Sequence, residues 1–269
     1  MNTTFRLKIA VQTMKDHGKT TIILAVLFMA MAAMYAGMFP SFETMLLDMT
    51  DAAFIESFPF LPHIDQMHTY VGFLTLELYN IFWLLLLAIM FGFIAASSIA
   101  KEIEGKTIDL LLSNPLSRKQ IVIEKFIGLI PMILIVNFST MLVVMGITVA
   151  LNESLNYANL VVVHLISLLY FLAVISIGLL LSAIIDDKMK SSIVMIAILI
   201  GMFVINSVSL MTPDYEVLGF LSFLHYFDTF TVLQSGTVDG IGLGVFVGVT
   251  VVCLIAAMLY FEKRDIEVT

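Results

Sequence analysis

The chain has 269 residues, is 60% hydrophobic and 13% charged, and carries a formal net charge of −8 and a mean hydropathy of +1.04. A soluble domain is about 45–50% apolar and about 25% charged; a soluble enzyme, a disordered tail and a disulfide scaffold are therefore excluded. The acidic balance leaves no footprint for nucleic acid, and one cysteine, Cys253, cannot close an internal bridge.

What remains is an all-α polytopic membrane protein. A bilayer core of about 30 Å needs roughly 20 apolar residues in a helix. Residues 1–19 form a basic leader with Arg6, Lys8, Lys15 and Lys19. Six charge-free stretches (20–40, 78–100, 126–152, 154–185, 191–213 and 240–261) then predict spans at 20–40, 78–100, 120–152, 160–185, 191–213 and 240–261. The first apolar run is longer than the usual 7–15 residues of a cleaved leader, so it reads as a retained span. Residues 41–77 are acidic, with Phe54, Phe58, Phe60 and Leu61 between breaks at Pro59 and Pro62. They read as short helices resting at the interface. Residues 214–239 are apolar in patches and too broken to cross twice. They predict a re-entrant helical hairpin that returns at Gly236–Gly240, covered by protein as such backbone must be.

Every one of the 13 Lys and Arg falls in residues 1–19, 101–125, 186–190 or the tail. The opposite segments (41–77, 153 and 214–239) hold none of them and 11 of the 21 acidic residues. By the positive-inside rule both termini are cytoplasmic, and the expected location is the plasma membrane.

The stretch Lys101–Lys125 is the most patterned. Ile103, Thr107, Leu110 and Leu111 fall on one side of a helix; Glu102, Lys106 and Asp109 fall on another, with Glu102 four residues before Lys106. The spacing predicts an amphipathic helix over 101–116, stopped at Asn114-Pro115. Ser117 then opens a capping box with Gln120, from which the third span starts.

These residues carry a resemblance. Glu102-x-Glu104-x(2)-Thr107, Asp109-Leu110-Leu111-Leu112-Ser113-x-Pro115-x-Ser117-Arg118 and Lys125 resemble the membrane subunit of ABC exporters of the ABC-2 permease class, particularly the six-span NosY-like group. Leu221–Asp228 with Gly236 and Asp239, and the terminal Phe261-x(2)-Arg264-Asp265-Ile266, follow in the family's order. The resemblance implies a coupling helix after span two that docks on a separate ATPase subunit. It puts Glu102, Glu104, Thr107, Asp109, Pro115, Arg118 and Lys125 at or near that contact, with the 186–190 loop (Asp187, Lys188) as a second one. Lys106 departs from the family's usual less basic approach. The resemblance further implies a surface-lying elbow helix near Thr3–Lys15, two ATPase copies that bind ATP and magnesium, and a second permease copy or close relative. This chain itself is then non-catalytic and binds no cofactor.

Gly18-Lys19-Thr20 and Gly105-Lys106-Thr107 are not phosphate-binding loops. The required first glycine is Thr13 or Ala100, and no soluble strand precedes either. No Asp, Glu, Lys or Arg lies within the six stretches, which weighs against an ion-coupled carrier. His164 is read as an interhelical hydrogen-bonding group. The methionines read as apolar filler, and His63, Asp65 and His68 as a surface loop rather than a metal site. The cargo expected is apolar or amphiphilic, or else force is passed to an external partner; the alternative is a stand-alone ion-coupled or facilitative transporter. A membrane enzyme lacks any catalytic constellation.

Overall fold

A computed structural model of the protein describes residues 7–49, 52–106 and 117–264, and all regular structure among them is helical. Six helical runs are long and apolar enough to cross a bilayer: Gly18–Leu47, Tyr70–Glu104, Arg118–Leu151, Tyr157–Ile184, Lys188–Met211 and Gly240–Lys263. Helix α1 (Lys8–Asp16) precedes the first span, α2 (Gly18–Met49), and α3 (Ala52–Ser57) follows it. The second span joins α4 (Tyr70–Leu74), a wide-turn stretch (Thr75–Leu87), α5 (Ala88–Ser97) and, after a step, α6 (Ala100–Glu104). The third to fifth spans are α7 (Arg118–Leu151), α8 (Tyr157–Ile184) and α9 (Lys188–Met211). Two short 3-10 turns, α10 (Thr229–Ser235) and the sixth span α11 (Gly240–Lys263) complete the described chain.

The helix starts obey local chemistry. Asn156, Asp187 and Asp239 each accept two backbone amides at the head of α8, α9 and α11, satisfying donors that have no partner within the helix. Ser117 caps α7 by accepting from Gln120 N at 3.2 Å. The return half of the expected capping box is replaced, because Gln120 Nε2 donates to Glu124 Oε1 at 3.1 Å.

Two expectations about the first loop change. Pro40 does not end the first span; α2 runs through it to Met49. One lost backbone bond is tolerable in a membrane helix, and the continuation is held by packing. Phe39 meets Tyr70 and Phe73 at centroid distances of 5.3 and 5.6 Å, and Leu46 is buried. The second span likewise starts earlier, at Tyr70, where Thr69 accepts from Gly72 N. Much of 41–77 thus belongs to the span helices and brings Glu43 and Glu77 with it.

Within the second span the backbone bonds widen to i→i+5 over Thr75–Leu87. Thr75, Tyr79, Trp83, Leu87 and Phe91, spaced by four, are all buried. An α-helix turns 3.6 residues at a time, so a step of four drifts by about 40° each time. Wider turns over Thr75–Leu87 offset that drift and hold the row against its neighbours. Trp83 lies 5.0 Å from the His164 ring, 5.7 Å from Phe171 and 6.1 Å from Phe28 and Tyr79. Its Nε1 donates to Ser167 Oγ at 2.9 Å.

A buried polar relay joins spans two, three and four. His164 Nε2 bonds the Tyr79 hydroxyl at 3.1 Å and Nδ1 bonds Asn137 Oδ1 at 3.0 Å, while Asn137 Nδ2 donates to His164 O at 2.8 Å. Both ring nitrogens are occupied, as an interhelical tie requires. Nearby, a Cβ at Gly178 would stand 2.9 Å from Gly92 O and 2.8 Å from Ala95 Cβ, so spans two and four touch backbone to backbone.

Candidate functional site

Among the described residues, the lysines and arginines gather at one end of the bundle, where α1, α6, the head of α7, the 186–190 turn and the tail of α11 meet. The order of assembly there starts from Glu124. It is fully buried and accepts from the Ile9 and Ala10 amides at 2.8 and 3.3 Å, which are free donors in the first turn of α1. A carboxylate beside those donors is also favoured by the helix dipole. Gly128, one turn later, lets α1 lie directly on α7: a Cβ there would meet Ala10 O and Thr13 Cβ at 2.7 Å.

The step between α5 and α6 frees two amides, Ile99 N and Ala100 N. Ser182 Oγ accepts both, at 2.8 and 2.9 Å. The step aims Glu102 at Lys125, whose Nζ lies 3.1 Å from Oε1 and whose side chain is 4% exposed. Glu104 accepts from Lys188 N at 3.0 Å and faces Lys188 Nζ at 3.6 Å. Asp187, beside it, receives the Lys190 and Met189 amides at 2.9 Å, and these hold its carboxyl below the usual range. Arg118 donates to Phe261 O at 3.3 Å and to Arg264 O; Arg264 in turn pairs with Asp186. Lys119 pairs with Glu262 at 2.8 Å.

Of the residues singled out in the sequence, Glu102 and Lys125 form one tie, Glu104 and Lys188 a second, and Arg118 a third, while Asp187 caps α9 beside the second. The helix expected over 101–116 does not run unbroken. It stops at Glu104, and Lys106 adopts φ +54°, a left-handed backbone that takes it out of the helical Glu102–Lys106–Asp109 register. Thr107, Asp109 and Pro115 lie outside the described residues. Glu124 and Gly128 were not singled out. The available signal was Glu124 itself, a carboxylate four residues after Gln120 at the head of a long apolar helix.

The opposite end holds the 212–239 segment. Three short helices fold back there, Gly236 (φ +73°) closes α10, and Asp239 opens α11. His63 bonds Asp228 at 3.0 Å and stacks on Phe230 at 4.4 Å, whereas Asp65 accepts from Gln66. His63 and Asp65 therefore point to different partners, and among the described residues no three His, Cys, Asp or Glu converge as metal ligands.

His17 marks the corner between α1 and α2. Burial, and then Lys101 and Lys125 nearby, lower its pKa from 6.5 to about 4. It is neutral when folded and protonates readily only when released. The corner is then at full strength above pH 6.5 and loses strength as pH falls towards 4. The melting temperature is expected to fall across that window by less in His17→Gln than in the wild type, as read by circular dichroism in detergent.

The arrangement is that of a helical membrane protein with one charged, cross-braced end. A family model described as ABC-2 family transporter protein matches residues 12–266. The chain belongs to the ABC-2 transporter family and is a membrane component of an ABC transporter. The match does not single out the NosY-like group. Comparison with curated proteins gives no match.

Proposed function

We propose that the chain is the permease subunit of an ABC exporter in the plasma membrane. It pairs with a second copy or a close relative and takes ATP-driven movement from two cytoplasmic ATPase subunits at its basic end. The partners bind ATP and magnesium; this chain moves an apolar or amphiphilic cargo or passes force to an external partner. Both termini face the cytoplasm, in line with the charge distribution.

One observation carries the reading. The segment 107–116 is bracketed by braces on both sides: Glu102 and Glu104 before it reach Lys125 and Lys188, and Arg118 after it reaches the end of α11. Displacing that segment therefore displaces spans two, three, five and six together, a rigid-body change. In this scheme Thr107, Asp109 and Pro115 meet the ATPase. Glu102, Glu104, Arg118, Lys125, Asp187 and Lys188 hold the docking segment in place.

The test is co-purification with the ATPase subunit, combined with ATP-driven movement of a fluorescent phospholipid analogue in proteoliposomes. Asp109→Lys is expected to weaken ATPase association about tenfold or more by charge reversal. Glu104→Gln is expected to keep association and lose ATP-driven movement. Movement of the analogue by this chain alone, under a pH gradient without nucleotide, would establish the stand-alone transporter instead.

A further inference from the structure

A cavity of about 240 Å³ lies between the α1–α2 corner and α7, lined by Met14, His17, Gly18, Thr21, Pro131 and Ile135 among others. Its roof holds an unsatisfied polar group: His17 Nε2 is buried without a hydrogen-bond partner. Behind the lining, next to Gly128, Thr13 Oγ1 is likewise buried without one. Lys15 and Lys19 flank His17 in sequence, and Lys101 lies close enough to act on its ring. These three lysines carry no ion pair among the described residues. The carboxylates nearby are engaged: Asp16 by Gln12 at 2.7 Å, Glu102 by Lys125, and Glu124 by α1. The corner thus has spare positive charge and an unused ring nitrogen. Buried polar groups of this kind ordinarily have a partner.

The floor is apolar and leads straight onto membrane-facing surface. Ile22 is 64% and Ile135 51% exposed at its edge. A small soluble anion would satisfy the roof and leave that floor wet. A lipid satisfies both, its headgroup at the roof and an acyl chain along the floor. A zwitterionic headgroup brings its own cation to compete with the lysines, so the match is to a net negative one.

We propose that this cavity holds one anionic phospholipid from the leaflet at the basic end, its phosphate facing His17, Lys15, Lys19 and Lys101. The lipid pins the α1–α2 corner to α7. The site requires only that this end lie at a bilayer surface, and it stands whether or not the chain works with an ATPase.

Native mass spectrometry of the full chain released from detergent tests the site with phosphatidylglycerol, phosphatidylcholine and glycerophosphate as probes. One phosphatidylglycerol is expected to survive activation that strips phosphatidylcholine, with glycerophosphate not retained. Lys15→Ser and Lys19→Ser are each expected to lower its retention about fivefold. Ile135→Trp, on the exposed rim and so compatible with folding, is expected to lower it about tenfold by filling the floor. Equal retention of phosphatidylcholine, retention of glycerophosphate alone, or no change in the three variants would overturn the proposal. So would a changed oligomeric state in Ile135→Trp with lipid retention intact, which would assign the groove to a second copy of the chain.

Discussion

Trp83→Ala is expected to cost about 3–5 kcal/mol of stability, the range for deleting a large buried aromatic side chain. The indole is fully buried and packs edge-on against Phe28, Tyr79, His164 and Phe171. It therefore joins the first, second and fourth spans in one contact set. In a bilayer, lipid is as apolar as the side chain, so the loss is one of packing and of the Nε1 bond to Ser167 rather than of burial from water. Trp83→Phe is expected to cost much less, near the 1 kcal/mol of one hydrogen bond plus incomplete filling. Reversible unfolding in mixed micelles, followed by circular dichroism, measures both variants. Equal stability for alanine and phenylalanine would refute the packing account.

Glu102→Ala is expected to be of similar severity, about 3–5 kcal/mol, because it strands a buried ammonium. Lys125 sits almost wholly inside protein and Glu102 is its ion-pair partner at 3.1 Å. Glu102 itself is one-fifth exposed, so water entering the gap moderates the cost toward the lower end. The double variant Glu102→Ala/Lys125→Met is expected to recover most of the loss, since replacing both charges removes the stranded group. A thermal-melt cycle over the two single variants and the double variant decides this. Additive losses would mean that the two residues do not act as a pair. The stable double variant would also separate folding from coupling, because on the proposed function it should fold, bind the ATPase and fail to move cargo.

Much of the architecture was legible because bilayer physics leaves a strong trace. Apolar length gave the six crossings, and the one-sided distribution of Lys and Arg matched an end that the fold does assemble. Ser117 as a helix cap was legible from local chemistry. The interior was not. The first span was expected to end at Pro40, the bound of its charge-free apolar stretch, yet Phe39 and Leu46 pack on and carry α2 beyond it. The four-residue row from Thr75 to Phe91 was not read as a pattern. It says nothing of wide turns until its neighbours, Phe171 and His164, are known. The braces were hidden for a related reason: Glu102 meets a lysine 23 residues away, not its helical neighbour at i+4, and Glu104 meets one 84 residues away. Residue type and position suggested the region, but pairing at that range is a tertiary property.

The braces are also distributed unequally. Among the described residues, five ion pairs bind the basic end, and the far end has only His63 with Asp228. Such a bundle has the layout of a clothes-peg, pinned by charge near the fingers and not at the jaws. On the proposed function, a small squeeze at the fastened side is expected to be magnified along helices of 24 to 35 residues, with the widest excursion among the capped turns around Asp228 and Asp239.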